Sequence, residues 1–120
     1  MFDHIGLKVS NLSASVSFYR DALGALGLEL GSSGTGYAGF GPPGEPGLWL
    51  YEQVDALGPG SHVALRAPSR SAVQAFHSAG IAAGGRDNGA PGLQLDYSAE
   101  YYAAFLLDPD GNNLEAVCFK

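Results

Sequence analysis

Aliphatic residues alternate with polar or small residues in two short segments, one near the start of the chain and one near its middle. The first segment runs from His4 to Val9, and its aliphatic positions are Ile5, Leu7 and Val9. The second runs from His62 to Ala67, and its apolar positions are Val63, Leu65 and Ala67. Because neighbouring side chains of a β-strand point to opposite faces, each segment predicts a strand with one apolar face.

A helical period follows each of these strands. In the first half the apolar residues recur every three or four positions, at Leu12, Val16, Tyr19, Leu23 and Leu26. In the second half a weaker apolar face is formed by Ala72, Val73 and Phe76. Serine residues open both segments as candidate N-caps. Gly24 and Gly27 are predicted to end the first helix, and Gly80 to end the second.

Three short strands are predicted after each helix, separated by turns rich in glycine and proline. Those of the first half are Leu28 to Leu30, Tyr37 to Phe40 and Leu48 to Glu52. Those of the second half are Ile81 to Arg86, Tyr101 to Leu107 and Asn113 to Cys118. The stretch GSSGTG lacks the Gly-Lys-Ser/Thr ending of a phosphate loop, so it predicts a hairpin turn. Each half therefore has the order βαβββ.

The two halves are also similar in sequence. Without a gap, FDHIGLKVSNLSASVSFY aligns with GSHVALRAPSRSAVQAFH, so that His4 falls on His62, 58 positions later (62 minus 4). We interpret the halves as two copies of one module within a single domain, module one at residues 1–56 and module two at residues 60–120. The short connection contains Gly58-Pro59-Gly60, and it leaves open whether the modules form a barrel within one chain or between two chains.

Composition narrows the classes of partner. The 120 residues carry a formal net charge of −6, with a pI near 4.7, which argues against nucleic acid and anionic membranes as partners. No apolar run approaches the roughly 20 residues that span a bilayer. The single Cys118 allows no internal disulfide and is expected to be buried. Met1 leads almost directly into the first strand without a signal-like segment, so we expect a cytoplasmic protein. The acidic charge is compatible with a small molecule as its ligand.

Three chemically active side chains are predicted on matching faces of the sheets. His4 and His62 alternate with the aliphatic residues of their strands, and Glu115 alternates with Leu114 and Ala116. A solvated sheet face explains each residue alone. If the copies pack about a pseudo-twofold axis, the two imidazoles become neighbours and Glu115 can approach them. Two imidazoles and one carboxylate form a ligand set that leaves coordination positions open for a substrate.

The chain resembles the vicinal oxygen chelate superfamily, which includes glyoxalase I, extradiol dioxygenases and bleomycin-resistance proteins. The resemblance is carried by DHIGLKVSNLSASVSFYRDALGALGLEL, SHVALRAP and FLLDPDGNNLEAV. It implies an α+β fold in which two βαβββ modules form an incomplete eight-stranded mixed β-barrel. It also implies a divalent metal ion (Fe, Mn, Zn, Ni or Co) bound by His4, His62 and Glu115, and a homodimer.

Departures from the members of this family concern the acid–base groups. Glyoxalase I has a fourth ligand on its fourth strand. Matching GLWLYE to NNLEAV places Trp49, or a neighbour one residue away, opposite Glu115 in this chain. Glu52 is predicted on the other face of that strand. Extradiol dioxygenases carry additional acid–base residues, whereas the one remaining histidine, His77, lies in the second helix and is expected to be exposed. The sequence does not identify the catalytic base, and Tyr101 is a candidate acid–base group.

Aromatic residues are predicted to line the substrate pocket. The expected set on the concave faces is Trp49, Tyr51, Tyr101 and Phe105. Tyr97, in the long segment RDNGAPGLQLDYSAEYY, is expected to cover the mouth of the pocket as a mobile lid. The alternative for Tyr51 and Phe105 is ordinary packing in the core or at a dimer interface.

Two functions of different classes fit this sequence. The first is a metal-dependent enzyme of the glyoxalase or dioxygenase type that chelates adjacent oxygen atoms of a small substrate, with lyase, isomerase and dioxygenase chemistry all open. The second is a bleomycin-resistance-type protein that sequesters a small molecule without catalysis. The His-His-Glu set favours the enzyme, because a sequestering groove does not need that set. A degenerate copy with an empty site is a third interpretation.

Overall fold

A computed structural model describes residues 1–56 and 60–120 of the chain, so Gly58 and Pro59 of the predicted connection lie outside the described residues. Module one contains β1 (Ile5–Val9), α1 (Leu12–Gly24), β2 (Glu29–Gly34), β3 (Tyr37–Gly41) and β4 (Leu48–Glu52). Module two contains β5 (His62–Arg66), α2 (Arg70–Ala82), β6 (Arg86–Leu93), β7 (Tyr102–Leu107) and β8 (Asn113–Cys118). Neither of these helices is long and apolar enough to cross a membrane.

The two modules have the same topology. Module one forms a four-stranded sheet in the order β1-β4-β3-β2, and module two forms a second sheet in the order β5-β8-β7-β6. In each sheet the first and last strands of the module are parallel neighbours, and the other pairs are antiparallel. The predicted α+β class and the duplicated βαβββ order are therefore confirmed. Within residues 1–56 and 60–120, no strand pairing joins the sheets, so one chain forms no closed barrel.

Each helix covers one face of its own sheet and leaves the other face open. The predicted alternation holds, because the side chains of Leu7, Leu50 and Leu114 are buried against the helices. Both helices begin at capped positions: Asn11 Oδ1 accepts a hydrogen bond from the backbone N–H of Ala14, and Ser69 Oγ accepts one from Ala72. The open faces carry the predicted site residues.

The second helix and its following strand differ from the prediction. Helix α2 continues to Ala82, and the predicted strand from Ile81 to Arg86 is wrong, because β6 begins only at Arg86. Gly80 does not end the helix; it lies buried inside α2, where a Cβ atom would come within 2.3 Å of Leu106 Cδ1. The backbone reverses instead at Gly84, whose φ is +101°.

The predicted lid is consequently shorter than expected. The first eight residues of RDNGAPGLQLDYSAEYY form β6, which pairs with β7 through an irregular register around Gly89. The remaining loop runs from Gln94 to Tyr101 and is closed by a backbone hydrogen bond from Gln94 N–H to Tyr101 O. Tyr97 lies in this loop.

Modules one and two pack through α1 and α2, and buried polar contacts join them. The hydroxyl of Tyr19 on α1 donates a 2.6 Å hydrogen bond to Asp108 Oδ2 in the turn before β8. In the same turn the carboxylate of Asp110 accepts from the backbone N–H of Ser10, at 3.0 and 3.1 Å. Tyr19 is fully buried and Asp108 is 1% exposed. Burial and the neighbouring Asp108 carboxylate raise the pKa of Tyr19 well above its ordinary value.

We predict that Tyr19→Phe lowers the free energy of unfolding by about 1–3 kcal/mol at neutral pH, because a buried carboxylate loses one donor. Since the folded pKa of Tyr19 lies above the ordinary value of 10.0, the hydroxyl's contribution is complete below pH 10 and declines as pH rises further. The gap between the two proteins should therefore narrow in alkaline buffer. Urea unfolding at neutral pH and above pH 10 measures the difference in unfolding free energy between the two proteins. Tyr37→Phe, at a more exposed position, is the control. A neutral-pH difference below about 0.5 kcal/mol would contradict the assignment.

Candidate functional site

The structure brings two of the three predicted metal ligands together. His62 Nε2 on β5 lies 3.1 Å from Glu115 Oε1 on the neighbouring strand β8. His4 belongs to the other module, where it immediately precedes β1, and its Nδ1 lies 2.7 Å from Asp3 Oδ1. Residues 1–56 and 60–120 of one chain contain no group of three His, Cys, Asp or Glu side chains that could hold a metal ion. Within the described residues, His62 and Glu115 therefore converge, and His4 does not join them.

Strand alternation on β8 places Glu115 on the open face of the sheet. Leu114 and Ala116 point to the helix, whereas Glu115 pairs laterally with Ala64 on β5 and Phe105 on β7. Although this face has no helix above it, Glu115 is only 3% exposed. A buried carboxylate requires hydrogen-bond donors or a cation. Glu115 is therefore a buried carboxylate on the open face of the sheet and not part of a solvated strand face.

Tyr101 supplies one of these donors. Its hydroxyl donates a hydrogen bond to Glu115 Oε2 with an O···O distance of 2.5 Å. Burial, followed by the hydrogen bond to Glu115 and the charge of that carboxylate, raises the pKa of Tyr101 to about 12. The ring is also fixed, since Tyr97 and Phe119 pack edge-on against it with centroid distances of 5.0 and 5.2 Å. At neutral pH Tyr101 is a held proton donor and not a base.

The hydrogen-bond partners of His62 define the chemistry of its two nitrogens. Nδ1 lies 3.3 Å from the backbone oxygen of Asn113, which can only accept, so a hydrogen bond there requires the proton on Nδ1. The Nε2 atom of a neutral ring then directs a lone pair towards the Glu115 carboxylate. Two acceptors at 3.1 Å repel each other unless a proton or a metal cation lies with them. This arrangement matches the metal-binding histidine whose second nitrogen donates to a carbonyl.

The predicted aromatic residues divide between the two open faces. Tyr97, Tyr101 and Phe105 line the same depression as His62 and Glu115, and Tyr97 is 67% exposed at its mouth. Trp49 and Tyr51 lie on the open face of module one, opposite the buried Leu48 and Leu50. Within one chain they are therefore not part of the His62 depression.

Sequence reasoning missed Asn113, Asp96 and Phe119 at this site. Asn113 was detectable, because it stands two residues before Glu115 and so shares its face of β8. Its side-chain oxygen is buried and has no hydrogen-bond partner among residues 1–56 and 60–120. Phe119 follows the end of β8 and packs edge-on against Tyr101, and the guanidinium of Arg66 lies 5.3 Å from the centroid of its ring. The hydrophobic pattern of the sequence did not predict these contacts.

The remaining acidic and histidine side chains lie outside this depression. Glu52 Oε2 accepts a hydrogen bond from the backbone N–H of Leu12, at the start of α1, on the helix side of the sheet. His77, expected to be exposed, is largely buried on α2, with 16% of its side chain exposed, and pairs with Asp87 at 2.9 Å. Hydrogen bonds from Gly89 N–H and His77 lower the pKa of Asp87. These contacts give Glu52 and His77 local structural roles.

Equivalent positions of the two modules differ at the centre of their open faces. Trp49 pairs with Gly6 on β1 as Glu115 pairs with Ala64 on β5, so the ladders place Trp49 at the position equivalent to Glu115. An indole neither binds a metal ion nor accepts a proton. The carboxylate chemistry is therefore confined to module two.

Comparisons with known proteins agree with this fold. The Glyoxalase/Bleomycin resistance protein/Dioxygenase superfamily matches residues 1–116. A glyoxalase/bleomycin resistance protein from Albidiferax ferrireducens is 32% identical, with a TM-score of 0.82 and 98% of both chains covered. A glyoxalase/bleomycin resistance protein/dioxygenase family enzyme from Burkholderia phytofirmans is 17% identical, with a TM-score of 0.75 and 98% of both chains covered. A glyoxalase I variant from Zea mays is 24% identical, with a TM-score of 0.72; the alignment covers 96% of this chain and 44% of that one. The sequence matches no curated protein.

We predict that Glu115→Gln lowers the pKa of Tyr101 from about 12 towards its ordinary value of 10.0, because the substitution removes the charge that the hydroxyl faces. The fall should be partial, since burial alone also raises this pKa. Titration of the tyrosine ζ-carbon resonances by NMR, assigned with Tyr101→Phe, measures the change. Asp87→Asn is the control and should leave the titration unchanged. An unaltered pKa in Glu115→Gln would show that the Tyr101–Glu115 hydrogen bond is absent in solution.

Proposed function

Because the chain belongs to the Glyoxalase/Bleomycin resistance protein/Dioxygenase superfamily, we propose that it is a small-molecule metalloenzyme whose divalent metal ion is held by His62, Glu115 and His4. The observation that supports this most directly is the approach of His62 Nε2 to Glu115 Oε1 at 3.1 Å. Nitrogen and oxygen ligands bind such a metal ion at about 2.0–2.2 Å, so two ligands of one ion lie about 3.0–3.4 Å apart. The donor pair therefore has the spacing that a shared cation requires.

The surroundings of both donors support the same proposal. The Asn113 carbonyl holds the proton on His62 Nδ1, which leaves Nε2 free to bind a metal ion. Tyr101 occupies Glu115 Oε2 and leaves Oε1 directed at His62. Ligating carboxylates commonly carry such a second hydrogen bond, because it fixes their orientation. The residues present thus fit a divalent ion, with one ligand still to be supplied.

We propose that His4 of a second protomer supplies that ligand. His4 and His62 stand at equivalent positions before or at the start of β1 and β5, and each of these strands has only one strand neighbour in its sheet. An apolar cleft of about 290 Å³ opens between the modules, with Ile5, Val63 and Leu65 in its lining. Such a surface is suited to burial against another copy. In the resulting homodimer, module one of one protomer faces module two of the other across a common site.

The bound ion would supply Lewis-acid stabilisation of a developing enolate or alkoxide, or oxygen activation if it is Fe(II). His62 and Glu115 orient the site, and Tyr101 keeps its proton because its pKa is about 12. Phe105 on β7 is the lateral neighbour of Glu115, whose carboxylate is nearly closed to water at 3% exposure. Glyoxalase-type proton transfer by a fourth-strand carboxylate is disfavoured, since Trp49 stands at that position. Lyase, isomerase and dioxygenase chemistry remain the candidate reaction types.

The alternative is a bleomycin-resistance-type protein that sequesters a small molecule. The observation in its favour is the aromatic open face of module one, where Tyr51 is 46% exposed and Trp49 is half-buried. An imidazolium form of His62, donating to both Asn113 O and Glu115, would satisfy the carboxylate without a metal ion. Metal content distinguishes the two functions.

We predict about one divalent ion per chain, by mass spectrometry, in protein purified without a metal-affinity tag or chelator. His62→Ala, Glu115→Gln and His4→Ala should each lower the content by at least about tenfold, because each removes one of three ligands. His77→Ala is the matched control, since His77 pairs with Asp87 on the helix side, and it should retain the ion. Native protein that neither contains nor takes up Fe, Mn, Zn, Ni or Co would refute the enzyme and favour the sequestering function.

A mixed dimer tests whether the site is shared between protomers. We predict that dimers of His4→Ala with Glu115→Gln, isolated by two different peptide tags, bind one ion per dimer, while each variant alone binds none. In the mixed dimer, one site combines His62 and Glu115 of the first variant with His4 of the second, and the other site lacks two ligands. If both ligand groups came from the same chain, no site would be intact and the mixed dimer would also bind none.

A further inference from the structure

The first residue after β8, Phe119, lies beside Tyr101 on the open face of module two. Because side chains alternate along a strand, Phe119 continues the row to which Glu115 belongs. Tyr102 on β7 pairs with Cys118 on β8, and one further step in this antiparallel register brings Tyr101 opposite Phe119. The two rings meet edge-on, with centroids 5.2 Å apart and planes at 89°. The sheet itself therefore brings Phe119 against Tyr101.

Two arginine side chains hold Phe119 and the residue that follows it. The guanidinium of Arg66 on β5 lies 5.3 Å from the centroid of the Phe119 ring, where a cation is attracted by the ring. Arg70 at the start of α2 donates a 2.7 Å hydrogen bond from Nε to the backbone oxygen of Lys120. Both contacts come from elements other than β8. The chain beyond β8 is therefore fixed at a side chain and at its backbone.

Tyr97 and Phe119 both contact the Tyr101 ring, but they are anchored differently. Tyr97 belongs to the same loop as Tyr101, its ring centroid lies 5.0 Å from that of Tyr101, and it is 67% exposed. Phe119 belongs to the end of the sheet and is held by Arg66. A movement of the loop carries Tyr97 with it and leaves Phe119 in place. Phe119 is therefore the contact that fixes the Tyr101 ring relative to Glu115.

Module one has a polar residue at the position equivalent to Phe119. The two ladders make Trp49 equivalent to Glu115, because Trp49 pairs with Gly6 as Glu115 pairs with Ala64. Four residues later the chain has a glutamine in module one (53 minus 49) and Phe119 in module two (119 minus 115). The aromatic contact therefore accompanies the carboxylate and is not a requirement of the repeated fold.

We infer that Phe119 is a positioning residue that keeps the Tyr101 hydroxyl on Glu115 Oε2. The hydroxyl lies at the far end of the Tyr101 ring, so its hydrogen bond to Oε2 depends on the direction in which that ring points. With Oε2 occupied, Oε1 remains directed at His62. The consequence for a bound ion rests on the proposed function, whereas the consequence for the hydroxyl does not.

The first measurement follows the Tyr101 hydroxyl in metal-free protein. In a mixture of H2O and D2O, the ζ-carbon NMR signal of a tyrosine reports the exchange rate of its hydroxyl proton, and Tyr101→Phe assigns the signal. A hydrogen-bonded proton exchanges when its contact opens. We expect exchange to be about two- to tenfold faster in Phe119→Ala, which is the factor that one aromatic pair supplies. An unchanged exchange rate would overturn the inference.

Two further variants separate positioning from a general loosening of the protein. Phe119→Tyr keeps an aromatic ring against Tyr101 and beneath Arg66, so it should keep the native exchange rate. Ile81→Ala is the control, because Ile81 on α2 is 40% exposed and Phe119 is 42% exposed. The control should also keep the native rate. Equally fast exchange in Ile81→Ala and Phe119→Ala would show that the whole protein opens, which contradicts a specific role for Phe119.

The second measurement is a double-mutant cycle on Co(II) affinity, by titration calorimetry on the full chain. Loss of a hydrogen-bond partner of a ligand lowers metal affinity about 10- to 100-fold, so we expect a loss in this range for Tyr101→Phe. Phe119→Ala should lower the affinity by about two- to tenfold. In the Tyr101→Phe background it should have no further effect, because no hydroxyl remains to be held. Equal losses in both backgrounds would show that Phe119 does not act through Tyr101.

Failure of this inference is distinguishable from failure of the proposed function. Faster hydroxyl exchange in Phe119→Ala, with native rates in Phe119→Tyr and Ile81→Ala, supports the positioning role even in a protein that takes up no ion. Full metal binding together with a hydroxyl exchange rate that is indifferent to Phe119 would overturn the positioning role and leave the metal centre in place.

Discussion

The carboxylate of Asp108 is the constraint on which the rest of the molecule depends. It is 1% exposed and accepts hydrogen bonds from the Tyr19 hydroxyl, the Asn112 side-chain amide and the backbone N–H groups of Asp110 and Asn112. A charge so deeply buried is tolerated only with this many donors. Its partners come from both modules, so the same group shapes the turn before β8 and attaches that turn to α1. The position of Glu115, three residues after Asn112, follows from it.

Duplication of a module provides a common frame in which equivalent positions have acquired different chemistry. Both sheets bury one face against a helix and leave the other open. A histidine stands immediately before the first strand of module one and at the start of the first strand of module two. At the centre of the open faces, however, one module has Glu115 and the other has Trp49. The Glu115 carboxylate contacts Tyr101 and His62 and is nearly excluded from water. The Trp49 indole has Gly6 and Gly39 as its lateral neighbours. The two faces therefore differ at all three positions of this row, with Ala64, Glu115 and Phe105 in one module and Gly6, Trp49 and Gly39 in the other.

Much of this structure could be predicted from the sequence, because period-two and helical patterns report burial directly. The alternation around Glu115 placed it on the face opposite Leu114, and the internal repeat gave the duplicated topology. The end of α2 could not be read in this way, since Gly80 is a site of close contact with Leu106 and not a helix stop. The Tyr101–Glu115 hydrogen bond joins the loop before β7 to strand β8, which no local pattern reveals. The distance from His4 to His62 and Glu115 depends on how the modules associate. No pattern within one sequence predicts that association.

Anomalous diffraction from a crystal grown with Mn(II) or Co(II) tests the shared metal centre most directly. The account predicts one anomalous peak within bonding distance of His62 Nε2 and Glu115 Oε1, with His4 of a second protomer as the third protein ligand. It also predicts the ring of Trp49 from that second protomer beside the peak. A peak bound by His62 and Glu115 without any His4, or a fully occupied dimer with no peak at this pair, would contradict the account.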